Sequence, residues 1–142
     1  VTYLDRLKRN SRVSLALLDQ GELSETTGVA AATAESFVQD NNQLRTALNR
    51  ANNNPHKPEV HINLGIAYTK AQKYEEAIHS FKKAIQLDPL TSLGHLNLGI
   101  AYQQAGQNNQ AIAEFKTFLE LEPNSPQSEA VKEEIKRLNA TL

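Results

Sequence analysis

Residues 58–91 read PEVHINLGIAYTKAQKYEEAIHSFKKAIQLDPLT, and residues 92–125 read SLGHLNLGIAYQQAGQNNQAIAEFKTFLELEPNS. Laid over each other, the two segments share His, Asn, Leu, Gly, Ile, Ala and Tyr at 61/95, 63/97, 64/98, 65/99, 66/100, 67/101 and 68/102. They share further Ala, Ala, Ile, Phe, Lys, Leu and Pro residues at 71/105, 77/111, 78/112, 81/115, 82/116, 87/121 and 89/123. Average composition would give about two identities over such a length, so the segment is an internal repeat with a period of 34 residues.

Leu64, Tyr68 and Ala71 fall on one helical face, and Ala77, Ile78, Phe81, Ala84 and Ile85 fall on another. Each unit therefore reads as two short helices. The turns lie at Ala71-Gln72-Lys73-Tyr74 and Ala105-Gly106-Gln107-Asn108, and Pro89 and Pro123 end the second helices. A helix pair of this size cannot bury its apolar face alone and must stack on a neighbour. The pattern resembles the tetratricopeptide repeat: Leu-Gly, two residues, Tyr, then Ala, three residues, Phe and a closing Pro. Leu64-Gly65, Tyr68, Ala77, Phe81 and Pro89 match it, as do Leu98-Gly99, Tyr102, Ala111, Phe115 and Pro123. The family's opening Trp is replaced by His61 and His95. The resemblance implies an all-α fold, a right-handed superhelix of antiparallel helix pairs. Gly65 and Gly99 each cost about 1 kcal/mol in a helix interior relative to Ala. They are expected where two helices approach closely, with Ala77 and Ala111 as small partners and Tyr and Phe filling the space around them.

After the second unit, Ser125 suits a helix cap and Pro126 a first turn. Val131, Ile135, Leu138 and Leu142 form a stripe opposite Glu133, Glu134, Lys136 and Arg137, so residues 126–142 read as a helix capping the array. Residues 1–54 read as an N-terminal helical region. Tyr3, Leu4, Leu7, Leu15 and Leu18 suggest a helix from Thr2 to Gln20 stopped by Gly21. Arg6, Lys8, Arg9 and Arg12 make its start basic, which reads as a solvated face or a cytoplasmic flank of an upstream segment. Residues 24–57 half-match the repeat one period earlier, through Ala30, Ala31, Ala34, Leu44, Ala47 and Pro55, with a break expected at Asp40-Asn41-Asn42. The expectation is a degenerate third unit. The competing reading is one helix from Glu25 to Arg50 with Phe37, Asn41, Leu44, Leu48 and Ala51 near heptad spacing, a seam for a homodimer. Asn52–Pro58 is a linker in either case.

A length of 142 residues with 39% apolar content supports a real core. The formal charge of −1 gives no electrostatic reason to expect nucleic acid or an anionic membrane as a partner. There is no run of 18 apolar residues, so insertion of this chain into a bilayer is not expected. With no cysteine, disulfides, thiol nucleophiles and thiolate metal sites are excluded, while the compartment, cytoplasmic or periplasmic, stays open. The absence of methionine suggests a piece excised from a larger or anchored protein, and the Asn/Gln-rich style suggests a bacterial one.

The chain contains no phosphate-binding glycine loop, Gly-x-Ser-x-Gly, His-Glu-x-x-His or calcium loop, so neither an enzyme nor a cofactor is expected. Glu75-Glu76 suits the first turn of a helix. His61, His95 and Glu129 form a ladder that conceivably holds a metal, yet repeat symmetry already explains the histidines. What remains is surface. Ile62, Ile66 and Thr69, then Leu96, Ile100 and Gln103, lie off the packing stripe of each first helix. They either stack on the adjacent unit's first helix or floor a groove. The family resemblance implies a concave surface for a peptide or helix of another protein, here Ile62, Asn63, Ile66, Thr69, Lys70, Leu96, Asn97, Ile100, Gln103, Gln104 and Gln127. Some family members grip a partner's C-terminal carboxylate through Lys, Asn and Arg. Here the places that should be basic hold Ile62, Ile66, Gln127 and Ala130, which argues against that mode.

Overall fold

The computed structural model describes residues 26–142. They form six helices: α1 (Thr26–Asn53), α2 (Pro58–Lys70), α3 (Tyr74–Leu87), α4 (Ser92–Gln104), α5 (Asn108–Leu121) and α6 (Ser128–Ala140). No strand occurs among the described residues. The chain divides into two compact units, Val1–Gln39 and Asp40–Leu142. The helix expected at Thr2–Gln20 and its basic cluster lie outside the described residues.

In the second unit α2 pairs with α3 and α4 with α5, through turns that share one hydrogen-bond pattern. The Lys73 N–H donates to the Tyr68 carbonyl at 2.9 Å and the Gln72 N–H to Thr69 at 3.0 Å. In the second pair the Gln107 N–H donates to Tyr102 at 2.8 Å and the Gly106 N–H to Gln103 at 3.0 Å. This crossed pair of bonds closes a helix end around one left-handed residue. That residue is Gly106 at φ 78° in the second pair and Gln72 at φ 59° in the first.

The core follows the repeat. Ala77, Ile78, Phe81 and Ala84 from α3 meet Leu98, Ala101 and Tyr102 from α4 and Ala111, Ile112, Phe115 and Phe118 from α5, with Val131 and Leu138 of α6 at the end. The glycine notches exist, with a different partner from the one expected. A Cβ at Gly65 would stand 2.5 Å from Phe81 Cε1, and one at Gly99 would stand 2.6 Å from Phe115 Cδ1. Each glycine therefore receives an aromatic ring, while Ala77 and Ala111, fully buried, keep the second helix close enough for the ring to reach.

Within the expected third unit, Thr26–Asn53 is one continuous helix. The break expected at Asp40-Asn41-Asn42 is absent and α1 runs continuously through it, because Asp and Asn lower helix propensity by only about 0.7 kcal/mol each and neither Gly nor Pro interrupts the segment. What the half-match detected is the second half of a repeat. Leu44, Ala47 and Ala51 of α1 are buried against Leu64 and Ala67 of α2, with Leu48, Val60, Tyr68 and Ala71 beside them, the register that Ile78, Phe81 and Ile85 hold one period later. Leu44, Leu48 and Ala51 of the proposed dimer seam are thereby packed within the chain.

At the other end α6 begins at Ser128, two residues after the expected start. The Ser128 hydroxyl donates to the Glu122 carbonyl at 2.7 Å, fixing the entry, with Ser125 Oγ 3.0 Å away. Val131 and Leu138 are buried and Ile135 packs beside them, whereas Leu142 is exposed.

Candidate functional site

The first helices α2 and α4 and the capping helix α6 present comparable faces, and their residues fall into three groups. Ile62 is only 9% exposed and belongs to the core, with Ile66 and Leu96 packed against the same cluster. These three therefore serve the stacking of α2 on α4. A groove floor that includes Ile62 does not match its burial: the side chain is consumed between the helices.

A second group is held by side-chain hydrogen bonds within the chain. Asn97 Nδ2 donates to the Leu93 carbonyl at 2.8 Å, leaving its oxygen free to accept. Thr69 Oγ1 donates to the Gly65 carbonyl at 2.9 Å. Gln103 Nε2 donates to Glu134 Oε1 of α6, tying the end of α4 to the cap. Lys70 Nζ reaches Gln43 Oε1 of α1 at 3.4 Å. The Glu134 carboxyl is held below its ordinary range, first by its hydrogen bond from Arg137 and also by that from Gln103.

The third group is open. Asn63, Gln104 and Gln127 are exposed. Ile100 is 36% exposed, and one heptad earlier on the same helix Leu93 is 55% exposed, with Leu90 at 74% in the preceding loop. Sequence reasoning missed Leu90 and Leu93. The signal was in the repeat register, where His56 and Asn124 stand at the position of Leu90, and Glu59 and Gln127 at that of Leu93. The central repeat is apolar where both its neighbours are polar.

The loop between the repeats is locked from behind. Thr91 Oγ1 accepts from the Gly94 N–H at 3.3 Å, capping α4. His95 Nε2 lies 3.0 Å from the Pro89 carbonyl and Nδ1 lies 2.7 Å from Glu114 Oε2 of α5. Both ring nitrogens thus face oxygen acceptors. In the first repeat His61 keeps the bond to the loop, Nε2 to the Pro55 carbonyl at 2.8 Å, but Ser80 stands where Glu114 would be. The histidine–glutamate ladder considered for a metal is divided among these bonds, with Glu129 paired to Lys132 at 2.7 Å. Among the described residues no three His, Asp or Glu side chains gather to hold a metal ion.

Models of the tetratricopeptide repeat match residues 58–89 and 95–125. No curated protein sequence matches the chain. Among solved structures it is similar to the second TPR domain of human RPAP3 in complex with the HSP70 peptide SGPTIEEVD, at 31% identity and TM-score 0.60, covering 66% of this chain and 78% of that one. It is also similar to the Arabidopsis OM64 TPR domain, at 22% identity and TM-score 0.67, over 81% of this chain and 90% of that one. A third similarity is to the Yersinia enterocolitica type III secretion chaperone SycD in complex with a peptide of the translocator YopD. It has 17% identity and TM-score 0.67, over 85% of this chain and 98% of that one.

Proposed function

We infer that this chain, which belongs to the tetratricopeptide repeat family, is a protein-interaction scaffold that seats a peptide or amphipathic helix of another protein against the open face of α4 and its neighbours. The observation that carries the reading is the apolar stripe of Leu93 and Ile100, exposed on a helix whose other apolar residues are packed. Asn97 and Gln104 lie along it. In such a groove the apolar side chains supply affinity and the amides hold the ligand backbone. No residue is assigned a catalytic role.

The RPAP3 relative was solved with a peptide ending in Glu-Glu-Val-Asp. The groove proposed here is not of the carboxylate-gripping kind, because Ile62 and Ile66 are packed in or against the core, Gln127 and Ala130 are uncharged, and Glu134 is anionic. Two measurements test the reading. Isothermal titration with SGPTIEEVD should give no binding, and saturable binding would refute the groove chemistry. Partner capture from the native extract should be abolished by Asn97→Ala with Ile100→Glu while the far-ultraviolet circular dichroism stays unchanged. Undiminished capture by the folded double variant would place the interaction elsewhere. A second copy of the chain as occupant is the alternative that Leu90 and Leu93 favour, and a monomeric mass by light scattering at high concentration removes it.

A further inference from the structure

We propose that the first repeat carries a second docking site, distinct from the groove, that takes a lysine or arginine side chain with an apolar neighbour from a partner segment. Leu64 and Tyr68 of α2 and Glu75, Glu76, His79 and Ser80 of α3 line an open pocket of about 350 Å³. It lies on the side of the first hairpin that carries the α1 contacts of Leu64 and Tyr68.

The second repeat shows how this tyrosine is satisfied when the array continues. Tyr102 is buried, and Lys82 of the preceding helix places Nζ 5.7 Å from the centre of its ring, within the range of a cation–π contact. One period earlier the residue in the register of Lys82 is Leu48, which packs against the same cluster as Tyr68, and among the described residues no cation stands over the Tyr68 ring. Tyr68 stays partly exposed.

The rim differs in the same sense. Glu75 and Glu76 stand where the second repeat has Asn109 and Gln110. Glu75 Oε1 accepts from Gln107 Nε2 at 3.2 Å, which leaves its second oxygen open. Among the described residues neither carboxylate is in an ion pair. The Ser80 hydroxyl donates to the Glu76 carbonyl at 3.0 Å, so the back wall offers no unmatched donor. An apolar floor, an aromatic ring and two carboxylates at the mouth complement a cation on an apolar stem. They disfavour an acidic segment by like-charge repulsion. Arginine and lysine side chains have this form, with apolar methylenes leading to a charged head.

The test uses the full chain and the capped peptide acetyl-Gly-Leu-Arg-Leu-Gly-amide, followed by amide chemical shifts. Shifts should concentrate at Tyr68, Glu75, Glu76 and His79, and the same peptide with Glu in place of Arg should leave them unmoved. Replacing both carboxylates, Glu75→Gln with Glu76→Gln, should weaken binding about two- to thirty-fold, and Tyr68→Leu about two- to five-fold. The exposed carboxylate substitutions should leave the chain folded, with a thermal midpoint lowered only by the loss of two first-turn charges, which keeps the result interpretable if Tyr68→Leu fails to fold. The groove variant Asn97→Ala with Ile100→Glu should bind the peptide as wild type does, so that loss of one site is separable from loss of the other. Shifts confined to Asn97 and Ile100, or equal affinity after both Gln substitutions, would overturn the proposal.

Discussion

Replacing Gly65 by alanine tests the physical basis of the repeat. A built Cβ would stand 2.5 Å from Phe81 Cε1 and 2.7 Å from both Cδ1 and Cζ, well inside van der Waals contact. The ring has no room to retreat, since Phe81 is 1% exposed with Ala77 and Ala84 fully buried one turn to either side. Alanine in a helix interior is favoured over glycine by about 1 kcal/mol, whereas forcing a methyl into a packed core costs about 1–3 kcal/mol. Gly65→Ala should therefore destabilise by up to about 2 kcal/mol, read as a lower urea midpoint by far-ultraviolet circular dichroism. The sign should reverse once the ring is gone. In a Phe81→Leu background the same substitution should stabilise by up to about 1 kcal/mol. A double-mutant cycle then isolates a coupling of about 1–3 kcal/mol. A gain in stability from Gly65→Ala alone, or equal effects in both backgrounds, would refute the claim that the glycine exists to admit the ring.

Gln72→Gly should stabilise by about 0.5–1 kcal/mol, because Gln72 occupies a left-handed turn position at φ 59° that Gly106 fills in the second pair; an unchanged urea midpoint would count against it. His95→Leu should cost about 1–3 kcal/mol by leaving the Pro89 carbonyl and Glu114 without their donor, and His61→Leu should cost less, since that ring makes a single bond of this set; equal losses in paired urea melts would contradict the geometry. Glu134, held below its ordinary value of 4.5 chiefly by Arg137, contributes stability that is present above that value and lost as pH falls through the lower folded one. The stability difference between wild type and Glu134→Gln should thus be largest near pH 7 and shrink below about pH 4.5, and urea midpoints with a constant gap across that range would show that the Arg137 and Gln103 bonds do not matter to folding.

The sequence made the fold legible because two copies of one pattern report on each other. Most of the apolar positions among the fourteen shared ones mark the buried face, and the structure buries Leu64, Phe81, Leu98 and Phe115 among them. The glycines were readable as close approaches, but not what approached them, since spacing alone does not say whether a notch receives a backbone or a ring. Residues 24–57 were half legible for a related reason. Leu44, Ala47 and Ala51 carry the register of a second helix and pack as one, while the polar triplet Asp40–Asn42 resembles a turn and is carried through helically by the segments on either side. The candidate groove was the least legible part. Periodicity separates a packing stripe from the rest of a helix, but it does not divide the rest between stacking and exposure. Ile62 and Ile100 look alike in that pattern, and only the crossing of α2 on α4 tells them apart.

That division bears on how the proposed groove would distribute its contacts with a ligand. On α2 the apolar positions of the open face are spent on the neighbouring helix, leaving Asn63 to water and Lys70 bonded to Gln43 of α1. On α6 the corresponding positions carry Gln127, Ala130, Glu134 and Arg137, the last two paired with each other. Only on α4, among these three helices, do exposed apolar side chains stand two turns apart, at Leu93 and Ile100, with an amide between them. The difference in apolar surface available is large compared with what a flanking amide can add, since a fully covered Leu or Ile contributes about 1.5–3 kcal/mol and an exposed hydrogen bond about 1 kcal/mol. Binding energy in the proposed groove should therefore concentrate on the central helix, with α2 and α6 supplying walls and register. A scan in which Asn63→Ala and Gln127→Ala weaken a partner as strongly as Ile100→Ala would show that the ligand is read evenly across the array, and the central-helix account would fall.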